Sequence, residues 1–290
     1  MKISNQRVLI VVLLLLLFSS CEKDITFKLP DQTVKLVVEG WIEQDQFPEV
    51  ILTKSSPYFS PIDTAALLSS IVQDANVYIS NGTTTEKLSL VYDSQYPFFF
   101  YKGDTMKGEI GKTYNLTILY EGNTYTATTS IQPLAKFDSV WFKLNPNSDS
   151  IGNVFGYATD DGSVYNYYRA YTKILHVDTD FVPIYGSVWD DKFFSGQSLT
   201  AQLYHGIASN IVSPSSGNDR GLGYKLGDTV MVKLCTLDYE TYKFWVAAES
   251  EIYSTGNPFA TTTSIPSMIS GGALGCFSGY GATYNTLVCK

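Results

Sequence analysis

Two histidines, His176 and His205, are all the imidazole chemistry this 290-residue chain offers. Acyl hydrolysis by a serine needs Ser, His and a carboxylate held within hydrogen-bond reach. No Gly-x-Ser-x-Gly elbow is present to display the serine. Each histidine falls in or beside a strand-like stretch, and the plainer reading of each is a surface or strand-pairing residue. A zinc centre needs three or four His, Cys or carboxylate ligands, which two isolated histidines without a Cys-x-x-Cys do not supply. Carboxylates cluster at Asp160-Asp161-Gly162, Asp178-Thr179-Asp180 and Asp190-Asp191. Clustered loop carboxylates suit calcium, but none has the EF-hand spacing, and solvated loops are the favoured reading. A glycosidase needs two placed carboxylates, and nothing singles out a pair. No catalytic residue, metal ligand or cofactor is assigned, and the expectation is a protein that is not an enzyme.

Binding has better candidates. In "YNYYRAY", Tyr165, Tyr167, Arg169 and Tyr171 alternate and so share one face of a strand. Exposed, that face would stack on sugars or anchor a protein partner, since Tyr and Arg are favoured at interface hot spots. Buried against a helix, it would be core, with Arg169 snorkelling to water. Trp189, beside Asp190 and Asp191, is a similar loop candidate. The long loop from Ser209 to Gly227 is another place where binding tends to reside.

The elements that must position these residues are mostly strands. "KLVVEGWI", "EVILTK" and "DANVYIS" alternate apolar and polar, and Asn81-Gly82 after the third is a hairpin signal. In "GKTYNLTILYEGNTYTATTSI", Tyr114, Leu116, Ile118 and Tyr120 oppose Thr113, Asn115 and Thr117, and Glu121-Gly122-Asn123 turns the chain. About seven strands in about 100 residues, polar on one face, predict a β-sandwich of Ig-like or transthyretin-like type over 34–134. A second β-rich domain, 135–290, restarts with "FDSVWFKL". It carries one notable helix at about 238–255, capped by Asp238 and stopped by Gly256 and Pro258. The Phe244 and Trp245 side of that helix, with Thr241, Ala248 and Ile252, is expected to pack on the second sheet. The fold class is therefore mostly β, and the tail reads as a Gly-rich loop and a closing hairpin.

The N-terminus fixes an address. Lys2 and Arg7 precede an apolar run, Val8 to Phe18, of 11 residues, too short to cross a hydrocarbon core of about 30 Å as a helix. This reads as a secretory signal, to be left out of the fold. Phe18-Ser19-Ser20-Cys21 resembles a bacterial lipobox, which implies cleavage after residue 20, lipid on Cys21 and a tether over 21–33. Three acyl chains would hold firmly where one binds only marginally. Glu22, Lys23 and Asp24 then suggest display at the cell surface.

Without residues 1–20 the chain carries 18 Lys plus Arg against 28 Asp plus Glu, a net charge of −10. That excludes nucleic acid as a natural partner, because such binding needs a basic footprint. The 21 Tyr and 16 Phe suit strands and wet, aromatic-lined surfaces. Three cysteines follow Cys21, in a compartment that permits disulfides. Cys276 and Cys289 flank a Gly- and Tyr-rich turn and could face each other across the tail hairpin. Buried unpaired cysteines are the other reading.

The order of "LVVEGWI", "DANVYI", "GKTYNLTILYEGNTYTATT", "FDSVWF", "YNYYRAY", "GDTVMVKL", "LDYETYKFW", "NPF" and "GGALGCFSGY" after a lipid cysteine resembles the DUF4249 family of Bacteroidetes outer-membrane lipoproteins. Cys276 departs from that pattern, where another aromatic residue is more usual. The resemblance implies an outer-membrane lipoprotein associated with TonB-dependent transporters of the SusC type, and it implies no catalytic residue. The expected role is a non-enzymatic accessory or ligand-capturing component of such an uptake system. A structural or adhesive envelope protein is one alternative, and a hydrolase with an unrecognised site is another.

Overall fold

The computed structural model describes residues 33–56, 63–94, 98–206, 221–254 and 264–290. The signal segment, Cys21, the tether as far as residue 32, most of the 209–227 loop, and Gly256 and Pro258 lie outside the described residues. The chain runs β1 (Leu36–Glu43), β2 (Glu49–Lys54), α1 (Thr64–Ser70), β3 (Asn76–Ser80), β4 (Thr85–Lys87), β5 (Ser89–Tyr92), β6 (Phe99–Lys102), β7 (Thr113–Tyr120) and β8 (Asn123–Ser130). It continues through β9 (Ser139–Leu144), β10 (Ile151–Thr159), β11 (Tyr167–Ile174), β12 (Val182–Asp190), β13 (Ser198–Leu203), β14 (Tyr224–Lys225), β15 (Thr229–Leu237), α2 (Tyr239–Ser254) and β16 (Leu274–Val288).

One eight-stranded sheet, ordered β12-β11-β15-β16-β1-β2-β6-β5, is the backbone of the fold. Two four-stranded sheets cover it on one side. The first is β4-β3-β7-β8; the second is built on β10, with β13 and β14 on one edge and β9 on the other. Val38, Ile42 and Phe277 of the large sheet meet Ile79, Leu116 and Ile118 of the first small sheet in one core. Ala170, Ile174, Val230 and Val232 meet Val154 and Leu203 of the second in another. Each Val, Leu, Ile or Phe among them, once withdrawn from water, contributes about 1.5–3 kcal/mol. The fold is mostly β and sandwich-like.

The turns follow local chemistry. Between β3 and β4, Asn81 Oδ1 accepts from the amides of Thr83 (3.1 Å) and Thr84 (2.9 Å). Gly82 takes φ +89°. Between β7 and β8, Tyr120 pairs with Asn123 across Glu121 and Gly122, both at positive φ, as a two-residue hairpin turn requires.

The C-terminal tail departs from expectation in three ways. It is one strand of 15 residues, not a hairpin. It lies between β15 and β1, antiparallel to the former and parallel to the latter, with Val37 opposite Leu274. The first sandwich is therefore completed by the last strand. The glycines that suggested a turn serve close approach instead: a Cβ at Gly279 would stand 2.7 Å from the Ser130 carbonyl, and one at Gly281 2.4 Å from that of Gln132. Cys276 and Cys289 lie near opposite ends of this strand, 13 residues and roughly 40 Å of extended chain apart. Their odd spacing also turns them to opposite faces. A disulfide needs Cα atoms within about 7 Å, so these two do not form one.

The helix sits on the other side of the large sheet. Asp238 caps it, accepting from Thr241 N at 2.8 Å. Its second oxygen accepts from Thr129 Oγ1 (2.7 Å) and Ser130 N (3.0 Å), which ties the helix start to the first sandwich. Thr241 and Ala248 are buried as expected, but Ile252 is 62% exposed. In the last turns Glu249 and Tyr253 face β12 instead, where they accept from the amides of Ser187 (3.1 Å) and Gly186 (3.0 Å).

Candidate functional site

The alternation of β11 puts Tyr168, Ala170 and Ile174 into the second core and leaves Tyr167, Arg169 and Tyr171 facing the helix. The same register brings Lys233, Cys235 and Leu237 of β15 and Tyr280, Ala282 and Tyr284 of β16 onto that face. It is a sheet face rich in tyrosine and cations, and α2 covers part of it.

Arg169 does not snorkel. It is only 4% exposed. Its guanidinium lies 3.5 Å from the centre of the Trp245 ring and 5.0 Å from that of Tyr171. Nε donates to Ser187 Oγ at 3.2 Å, and Nη1 reaches Tyr280 Oη at 3.5 Å. Ser187 in turn donates from both its hydroxyl and its amide to Glu249. Burial opposes the charge of Arg169, but Tyr171, Tyr280 and Glu249 outweigh it and raise its pKa. The charge also reaches Glu39 on β1, whose carboxyl is raised by burial and partly lowered by Arg169. Arg169 is a fixed internal cation that clamps helix to sheet, held by cation–π contact as much as by hydrogen bonds.

A second cation lies further along the face. Lys233 pairs with Glu43, which also accepts from the Tyr284 hydroxyl. The ammonium has the rings of Tyr171, Phe181, Tyr280 and Tyr284 between 5.3 and 5.8 Å away. Burial pushes the thiols of Cys235 and Cys276 up to about 12. Both therefore stay protonated near neutral pH and are poor nucleophiles.

The open end of this face carries four clustered tyrosines. Tyr165 and Tyr239 are 45% and 52% exposed, with Tyr167 and Tyr242 half-buried between them. Tyr167 has the other three rings at 5.2, 5.5 and 4.6 Å. Asp190 Oδ2 accepts from the hydroxyls of Tyr165 (2.7 Å) and Tyr242 (3.2 Å) and fixes their orientation. Burial and the Asp190 carboxylate raise the pKa of Tyr165, so its hydroxyl is a donor at any ordinary pH. Lys243 lies 5.1 Å over the Tyr239 ring. The result is a half-exposed patch of rings with directed polar tips, the make-up favoured where proteins recognise partners.

The expected site residues thus divide. Tyr165 and Tyr167 belong to the open patch. Arg169 and Tyr171 lie behind it, under the helix. Trp189 points away, packed against the second core with its ring 6.1 Å from that of Tyr168, because β12 alternates and its neighbour Asp190 takes the patch side. The sequence argument missed Tyr239 and Tyr242. Their i, i+3 spacing at a capped helix start was the signal that could have found them.

His205 lies beside a hydroxyl and a carboxylate: Nδ1 is 3.4 Å from Thr172 Oγ1 and Nε2 is 3.3 Å from Asp178 Oδ2. Thr172 is 0% exposed and accepts from the Tyr224 hydroxyl at 3.2 Å, while Asp178 also holds the amide of Ile174 at 2.6 Å. This arrangement is a core hydrogen-bond network with no substrate access to the threonine oxygen. Of the acidic clusters, Asp160 accepts from the amides of Gly162 and Gly196, from Tyr168 and from Asn166, so protein donors occupy both its oxygens. Among the described residues no three His, Cys, Asp or Glu are grouped to hold a metal ion.

No curated relative matches the chain. The family described as Domain of unknown function (DUF4249) matches residues 22–286, nearly everything that follows Cys21. The chain belongs to the DUF4249 family.

Proposed function

We propose that this protein is a lipid-anchored outer-membrane component of a TonB-dependent uptake system of the SusC type, and that it captures ligand or docks on the transporter without doing chemistry itself. The tyrosine patch around Asp190 carries the reading. Four rings, two of them about half exposed, are held on a strand and a helix start that Arg169 and Asp238 lock in place. Rigid aromatic groups lose little entropy on contact, which is what an interface anchor needs. The lipobox-like setting of Cys21 supplies the anchor in this proposal. Tethering raises the effective concentration of the second contact, so a weak direct interface suffices.

The test is isolation of the native lipoprotein from mildly solubilised outer membranes, with its companions identified by mass spectrometry. A TonB-dependent barrel in stoichiometric amount, lost from a Tyr165→Ala/Tyr239→Ala variant that still folds, is the expected result. A lone protein, under conditions that keep other barrel complexes intact, overturns the transport role and moves the weight to an adhesive envelope protein.

A further inference from the structure

The outer face of the second small sheet inverts the usual economy of a strand. On β10 the residues directed at the core are Gly152, Val154, Gly156 and Ala158, while those directed at water include Phe155 and Tyr157. The small inner residues are required by what lies over them. A Cβ at Gly152 would stand 2.6 Å from the Phe142 ring, and one at Gly156 2.6 Å from the Phe137 ring. Nothing in the core explains the rings outside. Trp141 of β9 lies directly across from Phe155, and the two are near-parallel, with centroids 5.7 Å apart and planes 15° from each other. Trp141 is 38% exposed and Tyr157 36%. Across the other edge, Phe155 faces Gln202 and Tyr157 faces Thr200, and the next cross-strand pair on β9 and β10 is Lys143 with Asn153. The platform therefore sets a stacked aromatic pair and the Tyr157 ring among amide and hydroxyl groups, with one positive charge.

We propose that this platform binds a neutral saccharide chain. A pyranose ring presents C–H groups of partial positive charge on its faces, which match the negative outer face that the Trp141–Phe155 stack leaves on the Trp141 side, at the edge strand β9. Its hydroxyls at the ring edge find the amides and hydroxyls that flank them. The platform's near-neutrality, in a chain of net −8, fits an uncharged ligand and offers no footprint for nucleic acid. The proposal goes beyond the transporter reading and does not depend on it, because the platform and the tyrosine patch share no residue.

The experiment is calorimetric titration of the full-length protein with four neutral hexasaccharides: cellohexaose, xylohexaose, mannohexaose and maltohexaose. The expected result is binding of at least one, weakened tenfold or more by Trp141→Leu, which keeps apolar bulk and removes the ring. Trp141→Leu should leave the thermal melt and the recovery of any transporter unchanged, and Tyr165→Ala/Tyr239→Ala should leave saccharide binding unchanged. Gln202→Ala, which spares the rings, should weaken the same saccharide to a lesser degree. Failure of all four sugars to bind, or binding indifferent to Trp141→Leu, overturns the proposal. Self-association of the native protein that Trp141→Leu abolishes also overturns it, and makes the platform a contact between copies.

Discussion

The two small sheets cover the same side of one large sheet, yet their exteriors differ. On the first, β7 and β8 turn Thr113, Asn115 and Thr117 and then Thr124, Thr126 and Thr128 to water, while Leu116 and Ile118 fill the core completely. On the second, β10 turns glycine inward and rings outward. The first sheet puts its large apolar side chains where burial stabilises them most. In the second, Val154, Leu203 and Tyr224 fill the core together with Phe137 and Phe142, while Trp141, Phe155 and Tyr157 stand on the outer face. Two sandwiches of similar build thus divide labour: one is organised for its own stability, and the other presents groups to something else.

The largest effect that would test this contrast is in the first core. Ile118→Ala should cost about 2–5 kcal/mol, as deletions from a closed core do, read from urea unfolding. Thr117→Ala, its neighbour on the outer face, should stay within about 0.5 kcal/mol. Equal costs would mean that the first sheet's interior is not the stabilising element it looks to be.

The second sheet should respond to added volume. Gly156→Ala places a methyl against the Phe137 ring, and overpacking of this kind costs about 1–3 kcal/mol. An unchanged melting temperature would show that Phe137 can yield, and that the small inner residues of β10 are not obligatory.

The smallest effect concerns how the two lobes hold their loops. The first uses Asn81, which does not titrate; the second uses Asp160. Burial alone would raise the Asp160 carboxyl, but the bonds from Gly196, Tyr168, Gly162 and Asn166 outweigh it and bring it below its ordinary 3.8. A carboxyl lowered by folding contributes stability above its unfolded pKa and loses it as pH falls through the folded value. Asp191 has the opposite sign: burial first, then Asp160 and Asp190, raise it, so its contribution fades as pH rises. In an Asp191→Asn background, lowering the pH from 7 to about 2.5 should therefore deprotect the amides of Gly162 and Gly196 in hydrogen exchange. The Thr83 and Thr84 amides, held by Asn81, should keep their protection after correction for intrinsic rates. Equal loss in both lobes would remove Asp160 as the cause.

Local chemistry was legible in the chain. The alternation in "GKTYNLTILYEGNTYTATTSI" gives β7 and β8 with their inner and outer faces, Asn81-Gly82 gives a turn, and Asp238 starts the helix within a residue of where it begins. Half of the candidate site was legible for the same reason, since Tyr165 and Tyr167 stand on the predicted face. Tyr239 and Tyr242 were hidden because a helix face is recognised by apolar residues, and these two carry hydroxyls and meet Tyr167 with rings tilted by 44° and 30°.

What the sequence determined by itself is therefore whatever rests on neighbours in the chain: the period of two along each strand, the turn types, the helix cap and the family. Tertiary structure alone decided which strands pair and what covers each face. The parallel pairing of β1 with β16 joins residues 37 and 274, and no local period reports such a partner. It made one strand of an expected hairpin, separated Cys276 from Cys289, and gave the tail glycines their role in close backbone approach. Whether Arg169 meets water or Trp245 was settled in the same way. Alternation fixes the side of the sheet on which a residue lies, but only the packing of a distant helix determines whether that side is closed.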